Sequence, residues 1–175
     1  MQIDELSLEG VKRIRPKIFL DDRGFFRETF RKPLYAAAGI DVDFCQDNHS
    51  FSKRGTVRGM HFQRLPGQAK LVSVMQGKIF DVVVDIRPSS PTFGKWEGVY
   101  LDEAEQLYIP VGFAHGFCVM SETAHVCYKV SAVYDPAEER SFRFDDPFVG
   151  IVWPIEAPLL SERDQKAPLL KEAVS

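Results

Sequence analysis

From Val57 onward, short β-branched or aromatic runs alternate with small polar turns, the pattern of antiparallel strands rather than of helices. Leu71-Val72-Ser73-Val74-Met75 precedes Gln76-Gly77, and Lys78-Ile79-Phe80-Asp81-Val82-Val83-Val84-Asp85-Ile86 follows it, which predicts a hairpin. Trp96 to Leu101, Gln106 to Ile109, Gly116 to Met120 and His125 to Ser131 share strand composition, with Ser121-Glu122-Thr123-Ala124 as a turn between the last two. So many strands within about eighty residues favour a closed or nearly closed antiparallel barrel, which removes exposed sheet edges.

Upstream, Val11 to Phe19 and Gly24 to Phe30 read as strands joined by Asp21-Asp22-Arg23-Gly24, an N-terminal arm ahead of the barrel. Such an arm pairs either within its own chain or with a second subunit. Helix is scarce. Lys32 to Ala38 has Pro33 in a favourable first-turn position and Gly39 at its exit, and another short helix is expected to begin near Ser161. No repeat, low-complexity tract or Pro/Ser-rich linker interrupts the pattern, so residues 1–175 are expected to form one mainly β domain.

Composition narrows the class. With 45% hydrophobic and 27% charged residues the chain is an ordinary globular sequence. Its 22 Lys+Arg against 25 Asp+Glu, a net charge of −3, argue against a nucleic-acid partner while leaving room for a local basic site for phosphate. The opening Met1-Gln2-Ile3-Asp4-Glu5-Leu6 lacks a basic stretch followed by an apolar one, and no run approaches the roughly 20 apolar residues of a membrane span. A cytoplasmic protein is expected, with no membrane partner. Cys45, Cys118 and Cys127 are odd in number and lack CxxC spacing, so they read as buried free thiols.

The densest polar constellation is Gln46-Asp47-Asn48-His49-Ser50, then Thr56-Val57-Arg58-Gly59-Met60-His61-Phe62-Gln63, then Gln68-Ala69-Lys70-Leu71-Val72. Polar groups inside strand-forming sequence need a partner or a ligand. Arg58 and Lys70 are fixed cations beside the titratable His61, a combination suited to holding an anion and moving a proton.

Seven segments occur together and in order: Arg23-Gly24-Phe25-Phe26-Arg27-Glu28, Gln46-Asp47-Asn48, Val57-Arg58-Gly59-Met60-His61-Phe62-Gln63, Lys70-Leu71-Val72, Ser90-Pro91-Thr92-Phe93-Gly94-Lys95-Trp96, Ile109-Pro110-Val111-Gly112-Phe113-Ala114-His115-Gly116-Phe117 and Tyr128-Lys129. In these the chain resembles the dTDP-4-dehydrorhamnose 3,5-epimerase family over roughly residues 10 to 170. The resemblance implies a cupin-type, jelly-roll β-barrel homodimer that uses neither metal nor organic cofactor. Its substrate would be a dTDP-4-keto-6-deoxyhexose or a related nucleotide sugar, in deoxysugar biosynthesis of the dTDP-L-rhamnose type.

The chemistry explains the residue types. A hydrogen on carbon 3 or 5 is acidic only because the ketone at carbon 4 can carry the charge as an enolate, so a base, an oxyanion stabiliser and an acid are required. By resemblance, His61 is the base, Asp164 the carboxylate that orients and charges it, Lys70 the enolate stabiliser and Tyr128 the proton donor on the opposite face. By the same resemblance Arg23 and Glu28 in the arm, Gln46, Asp47, Asn48, Arg58, His115, Glu139 and Arg163 hold nucleotide, pyrophosphate and sugar. Among them Arg23 and Arg58 are natural bidentate partners for phosphate. Tyr134 falls where the family often has an aromatic near sugar or base, whereas Val133 replaces a frequent aromatic, a departure that bears on local ligand contacts.

Plainer readings stand beside these. Ser161-Glu162-Arg163-Asp164 has capping-box spacing, so Asp164 also reads as a helix cap. His61 reads as a hydrogen-bonded strand histidine, Tyr128 as a half-buried strand tyrosine and Lys70 as a solvated strand end. His49 and His125 read as structural. Rival functions on such a barrel are a sugar ketoisomerase, a metal-dependent oxygenase or an epimerase acting on one carbon only; outside catalysis, a sugar-binding module. A metal enzyme would offer clustered histidines with a carboxylate, but His61 and His115 lie in separate motifs; a mere binder would not require an acid and a base.

Overall fold

A computed structural model describes residues 1–175. In chain order its strands are β1 (Gln2–Glu5), β2 (Lys12–Arg15), β3 (Ile18–Asp21), β4 (Gly24–Arg27), β5 (Gln46–Lys53), β6 (Val57–Gln63) and β7 (Lys70–Gln76). There follow β8 (Ile79–Asp85), β9 (Trp96–Leu101), β10 (Gln106–Ile109), β11 (Phe113–Val119), β12 (Thr123–Val130) and β13 (Glu139–Ser141). The helices are α1 (Lys32–Ala36), α2 (Glu162–Gln165) and α3 (Leu170–Ala173). Two antiparallel sheets, β1-β2-β10-β7-β12-β5 and β13-β6-β11-β8-β9, form a cupin-type jelly-roll, and β3-β4 stands apart as a hairpin.

Apolar residues of both sheets meet between them: Val72, Val74, Leu107 and Val126 from one, Ile79, Val83, Phe113 and Phe117 from the other. The outer face of the five-stranded sheet is covered by the C-terminal segment, where Phe142, Val149, Leu170 and Ala173 pack on Met60, Phe62, Val82 and Val84. Helix α1 covers part of the other outer face, placing Tyr35 over Ile14, Leu71 and Tyr108. Pro33 lies in the first turn of α1 and the helix gives way to turns ending at Gly39.

The expected hairpin over 71–86 does not form. Strand β7 pairs with β10 and β12, whereas β8 pairs with β11 and β9 in the other sheet. The intervening turn is a corner between sheets. Gly77 sits at φ +91°, a Cβ there would lie 2.3 Å from the Thr123 carbonyl, and its N–H donates to Glu103 rather than to a neighbouring strand. Turn residues mark a reversal but do not say which strands pair across it. The segment read as one strand from Val11 to Phe19 is also divided, at Pro16, into β2 in the sheet and β3 in the arm.

The arm exposes apolar side chains on both faces. Leu20 is 81% and Phe26 66% exposed, with Phe19 and Phe25 beside them. No helix is long and apolar enough to cross a membrane.

Candidate active site

Strand β6 is irregular where the chemistry is densest. Opposite β11, His61 faces His115 while Arg58 faces Phe117, so the register shifts by one residue at Gly59-Met60. This is a β-bulge. Residues three apart on a regular strand point to opposite faces, but with one extra residue Arg58 and His61 both face the barrel interior while Val57, Met60 and Phe62 join the outer cluster. Only glycine fits the bulge: Gly59 has φ +124°, and a Cβ there would come within 2.6 Å of the Gly116 Cα.

His61 Nε2 lies 2.7 Å from Asp164 Oδ1. The carboxylate is 4% exposed. Burial raises the Asp164 pKa, but the hydrogen bond and charge of His61, with Ser161 and Arg163, outweigh it and hold the carboxyl below its ordinary value. With Nε2–H donating to Asp164, the imidazole lone pair rests on Nδ1, which leaves that nitrogen able to accept a proton. The capping box is half made: Ser161 Oγ accepts from the Asp164 N–H at 3.1 Å, while the Asp164 side chain turns to His61 instead of back to the cap. Ser161 is therefore the cap, using only the backbone of Asp164, and the Asp164 carboxylate is left to His61.

The facing sheet supplies Lys70 and Tyr128. Lys70 is 6% exposed, and burial lowers its pKa to about 8 against the opposing charges of Glu139 and Asp81; it has no hydrogen-bonded partner. It is not a solvated strand end. Tyr128 packs against the inter-sheet core, and burial raises its phenol, with Arg58 opposing and Glu139 adding to the rise. The neighbouring inward positions of β5 are Gln46 and Asn48, joined by a 2.8 Å side-chain hydrogen bond. Asp47 alternates to the other face, where it pairs with Lys129 at 2.9 Å.

At the barrel mouth, Arg163 Nη1 donates to Glu139 Oε2 at 2.6 Å. The nearby Glu139 carboxylate raises the Tyr134 phenol pKa. Arg58 is held by Ser52 Oγ at 2.9 Å and the Phe51 carbonyl at 3.2 Å. Arg23 and Glu28 are not brought to this cluster: Arg23 pairs with Asp21 at the exposed arm tip and Glu28 with Arg31.

One further group was not singled out from sequence. Fully buried Asp81 places both carboxylate oxygens 2.9 Å from His115 Nε2, making a second histidine–carboxylate pair beside the first. The available signal is the lone acid inside the apolar run Ile79-Phe80-Asp81-Val82-Val83, since an ionisable residue among strand-core positions demands a partner. No three His, Cys, Asp or Glu side chains converge as a metal-ligand set.

Comparison with known proteins places the chain among nucleotide-sugar epimerases. Residues 5–172 match the family model described as dTDP-4-dehydrorhamnose 3,5-epimerase. A dTDP-4-dehydrorhamnose 3,5-epimerase of Neisseria gonorrhoeae is 48% identical over 94% of this chain, which spans 51% of that relative's length. A dTDP-4-dehydrorhamnose 3-epimerase of Streptomyces niveus is 46% identical, covering 99% of this chain and 86% of its own. Among solved structures, the dTDP-6-deoxy-D-glucose-3,5-epimerase of Legionella pneumophila in complex with dTDP-4-keto-L-rhamnose superposes with a TM-score of 0.94 at 46% identity, over 97% of this chain and 93% of that one. With a family model spanning nearly its whole length and relatives 46–48% identical over nearly all of it, this chain belongs to the dTDP-4-dehydrorhamnose 3,5-epimerase family of nucleotide-sugar isomerases.

Proposed function

We propose that this chain inverts carbons 3 and 5 of a dTDP-4-keto-6-deoxyhexose. The carrying observation is the disposition of groups across the barrel. His61, paired with Asp164 of helix α2, belongs to one sheet, while unpaired, buried Lys70 and half-buried Tyr128 belong to the facing sheet. A sugar ring held between them meets a base on one side and a phenol on the other, as inversion requires. His61 Nδ1 removes the carbon-bound proton, Asp164 stabilises the imidazolium, Lys70 neutralises the enolate oxygen, and Tyr128 returns a proton to the opposite face.

Arg58, His115, Glu139, Arg163, Tyr134 and the inward residues of β5 serve as contacts for pyrophosphate, sugar and base. Asp47 reaches the ligand only through its backbone, since its side chain lies outside. Arg23 and Glu28 act on the neighbouring subunit of a homodimer; the apolar flanks of the arm, open in a single chain, favour such a partner. Three free thiols suit a reducing compartment, and we place the enzyme in the cytoplasm. No metal or cofactor is required by this chemistry, so chelator leaves the rate intact; loss in chelator with recovery on a divalent ion would refute that.

Incubation with dTDP-4-keto-6-deoxyglucose in deuterium oxide, followed by NMR, tests the reading: label at carbons 3 and 5 with inverted configuration is expected. Label at carbon 3 alone would place the chain with the 3-epimerase among its relatives, and no label at either carbon would refute the assignment.

A further inference from the structure

Between β12 and β13 the chain crosses the barrel mouth through Ala132, Val133, Tyr134 and Asp135. Over Ala132–Tyr134 no backbone N–H or C=O pairs with another backbone group; the neighbouring Ser131 N–H and Asp135 carbonyl are the last to do so. A stretch without backbone partners ordinarily moves. Here three glutamine side chains, from three places in the barrel, partner three of those six backbone groups and the Asp135 N–H just beyond them. Gln68 Nε2 donates to the Ala132 carbonyl at 2.8 Å. Gln63 Nε2 donates to the Val133 carbonyl at 3.4 Å, and its Oε1 accepts from the Asp135 N–H at 3.2 Å. Gln46 Oε1 accepts from the Tyr134 N–H at 2.9 Å.

The amide is suited to this task because it carries a donor and an acceptor on one rigid plane, so it can satisfy backbone on either polarity without charge. Gln63 is 7% exposed, so its amide has almost no water to fall back on and its two backbone bonds hold it in place. Tyr134, by contrast, is 50% exposed: a side chain presented to solvent on a backbone held from beneath. Gln46 anchors in the six-stranded sheet and Gln63 in the five-stranded one, so the segment bridges the two walls of the site.

We propose that Gln63 and Gln68, with Gln46, are positioning residues that hold the Tyr134 segment in its ligand-ready conformation, so that the ligand need not order it on binding. This rests on the reading of Tyr134 as a ligand contact. Free-enzyme order of this kind lowers the entropy lost on association and acts on binding more than on chemistry remote from it.

The test uses full-length Gln63→Met and Gln68→Met proteins, with melting curves to establish that each folds. Hydrogen exchange at the Asp135 amide should accelerate in Gln63→Met; Kd for dTDP and KM for dTDP-4-keto-6-deoxyglucose should rise about tenfold in both, with kcat within about twofold of wild type. In a Tyr134→Ala background Gln63→Met should weaken dTDP binding no further. Unchanged exchange together with unchanged dTDP affinity would overturn the brace, as would a fall in kcat with normal affinity. Accelerated exchange with normal dTDP affinity in Tyr134→Ala would instead keep the brace and remove Tyr134 from the ligand contacts. Should Gln63→Met not fold, Gln68→Met, altering a half-buried residue, decides by the same affinities.

Discussion

Asp164 meets His61 Nε2 at 2.7 Å with its side chain while its own N–H is capped by Ser161 Oγ, so one residue ties a helix terminus to the imidazole 103 positions earlier. The two bonds use different atoms. They can be removed separately.

Asp164→Asn keeps the cap and removes the charge. Its kcat should fall at least ~10²-fold, and His61→Ala combined with it should lose little more than either alone. Ser161→Ala should do the reverse, costing about 1 kcal/mol of stability with a much smaller effect on rate. Steady-state kinetics beside thermal melts separate them; a rate near wild type for Asp164→Asn would leave the Asp164 carboxylate a structural role only.

The depressed Asp164 pKa also predicts a pH dependence of stability. A carboxyl whose folded value lies below its unfolded one contributes stability above the ordinary carboxylate range, and that contribution is lost as pH falls through the folded value. The gap in melting temperature between wild type and Asp164→Asn should therefore be present at neutral pH and narrow below about pH 4.

Lys70 carries the opposite sign. Its folded pKa of about 8 lies below the unfolded lysine value, so burying the cation costs stability at neutral pH, a cost relieved as pH rises through 8 toward the unfolded value. Lys70→Met should raise the melting temperature at pH 7 while lowering kcat at least ~10²-fold, the trade expected where a site holds a charge for function. In wild type, kcat/KM should decline above about pH 8 as the cation is lost. A Lys70→Met protein of normal rate would exclude the enolate role.

Tyr128→Phe removes the phenol proton and leaves His61 in place. It should still wash deuterium into the substrate but lose net inversion, whereas His61→Ala should stop exchange, both read by NMR in deuterium oxide. Normal epimerisation by Tyr128→Phe would reassign the acid.

Leu20→Asp with Phe26→Asp should convert a dimer into monomers by light scattering and weaken substrate binding by removing the neighbour's Arg23 and Glu28. Wild type found monomeric and fully active at assay concentration would exclude a shared site.

Much of the barrel is legible because its strands are β-branched and locally bounded; β8, β9 and β10 lie close to where composition places them. Pairing is less so. Strand β7 finds both partners more than thirty residues away, and no local turn signal encodes that choice. Strand β5 has a single apolar residue, the outward-facing Phe51, because its inward positions are Gln46, Asn48, Ser50 and Ser52, and so it lacks apolar alternation. Motifs single out His61, Lys70, Tyr128 and Asp164, yet the Asp81–His115 pair and the glutamine contacts to the Ala132–Asp135 segment are not legible, since each depends on which side chains the two sheets bring together.

The bulge at Gly59-Met60 makes β6 a strand read in frame. Arg58 and His61 share the interior only because one residue is spare between them, and Gly59 alone can occupy the crowded position that absorbs it. Deleting either bulge residue keeps Arg58 and His61 in the sequence yet sends one of them into the outer cluster among Val57, Met60 and Phe62. Length, as much as composition, is what this segment has to conserve: substitutions along β6 other than at Gly59 alter local contacts, whereas a single-residue indel transposes inside and outside for everything on one side of it.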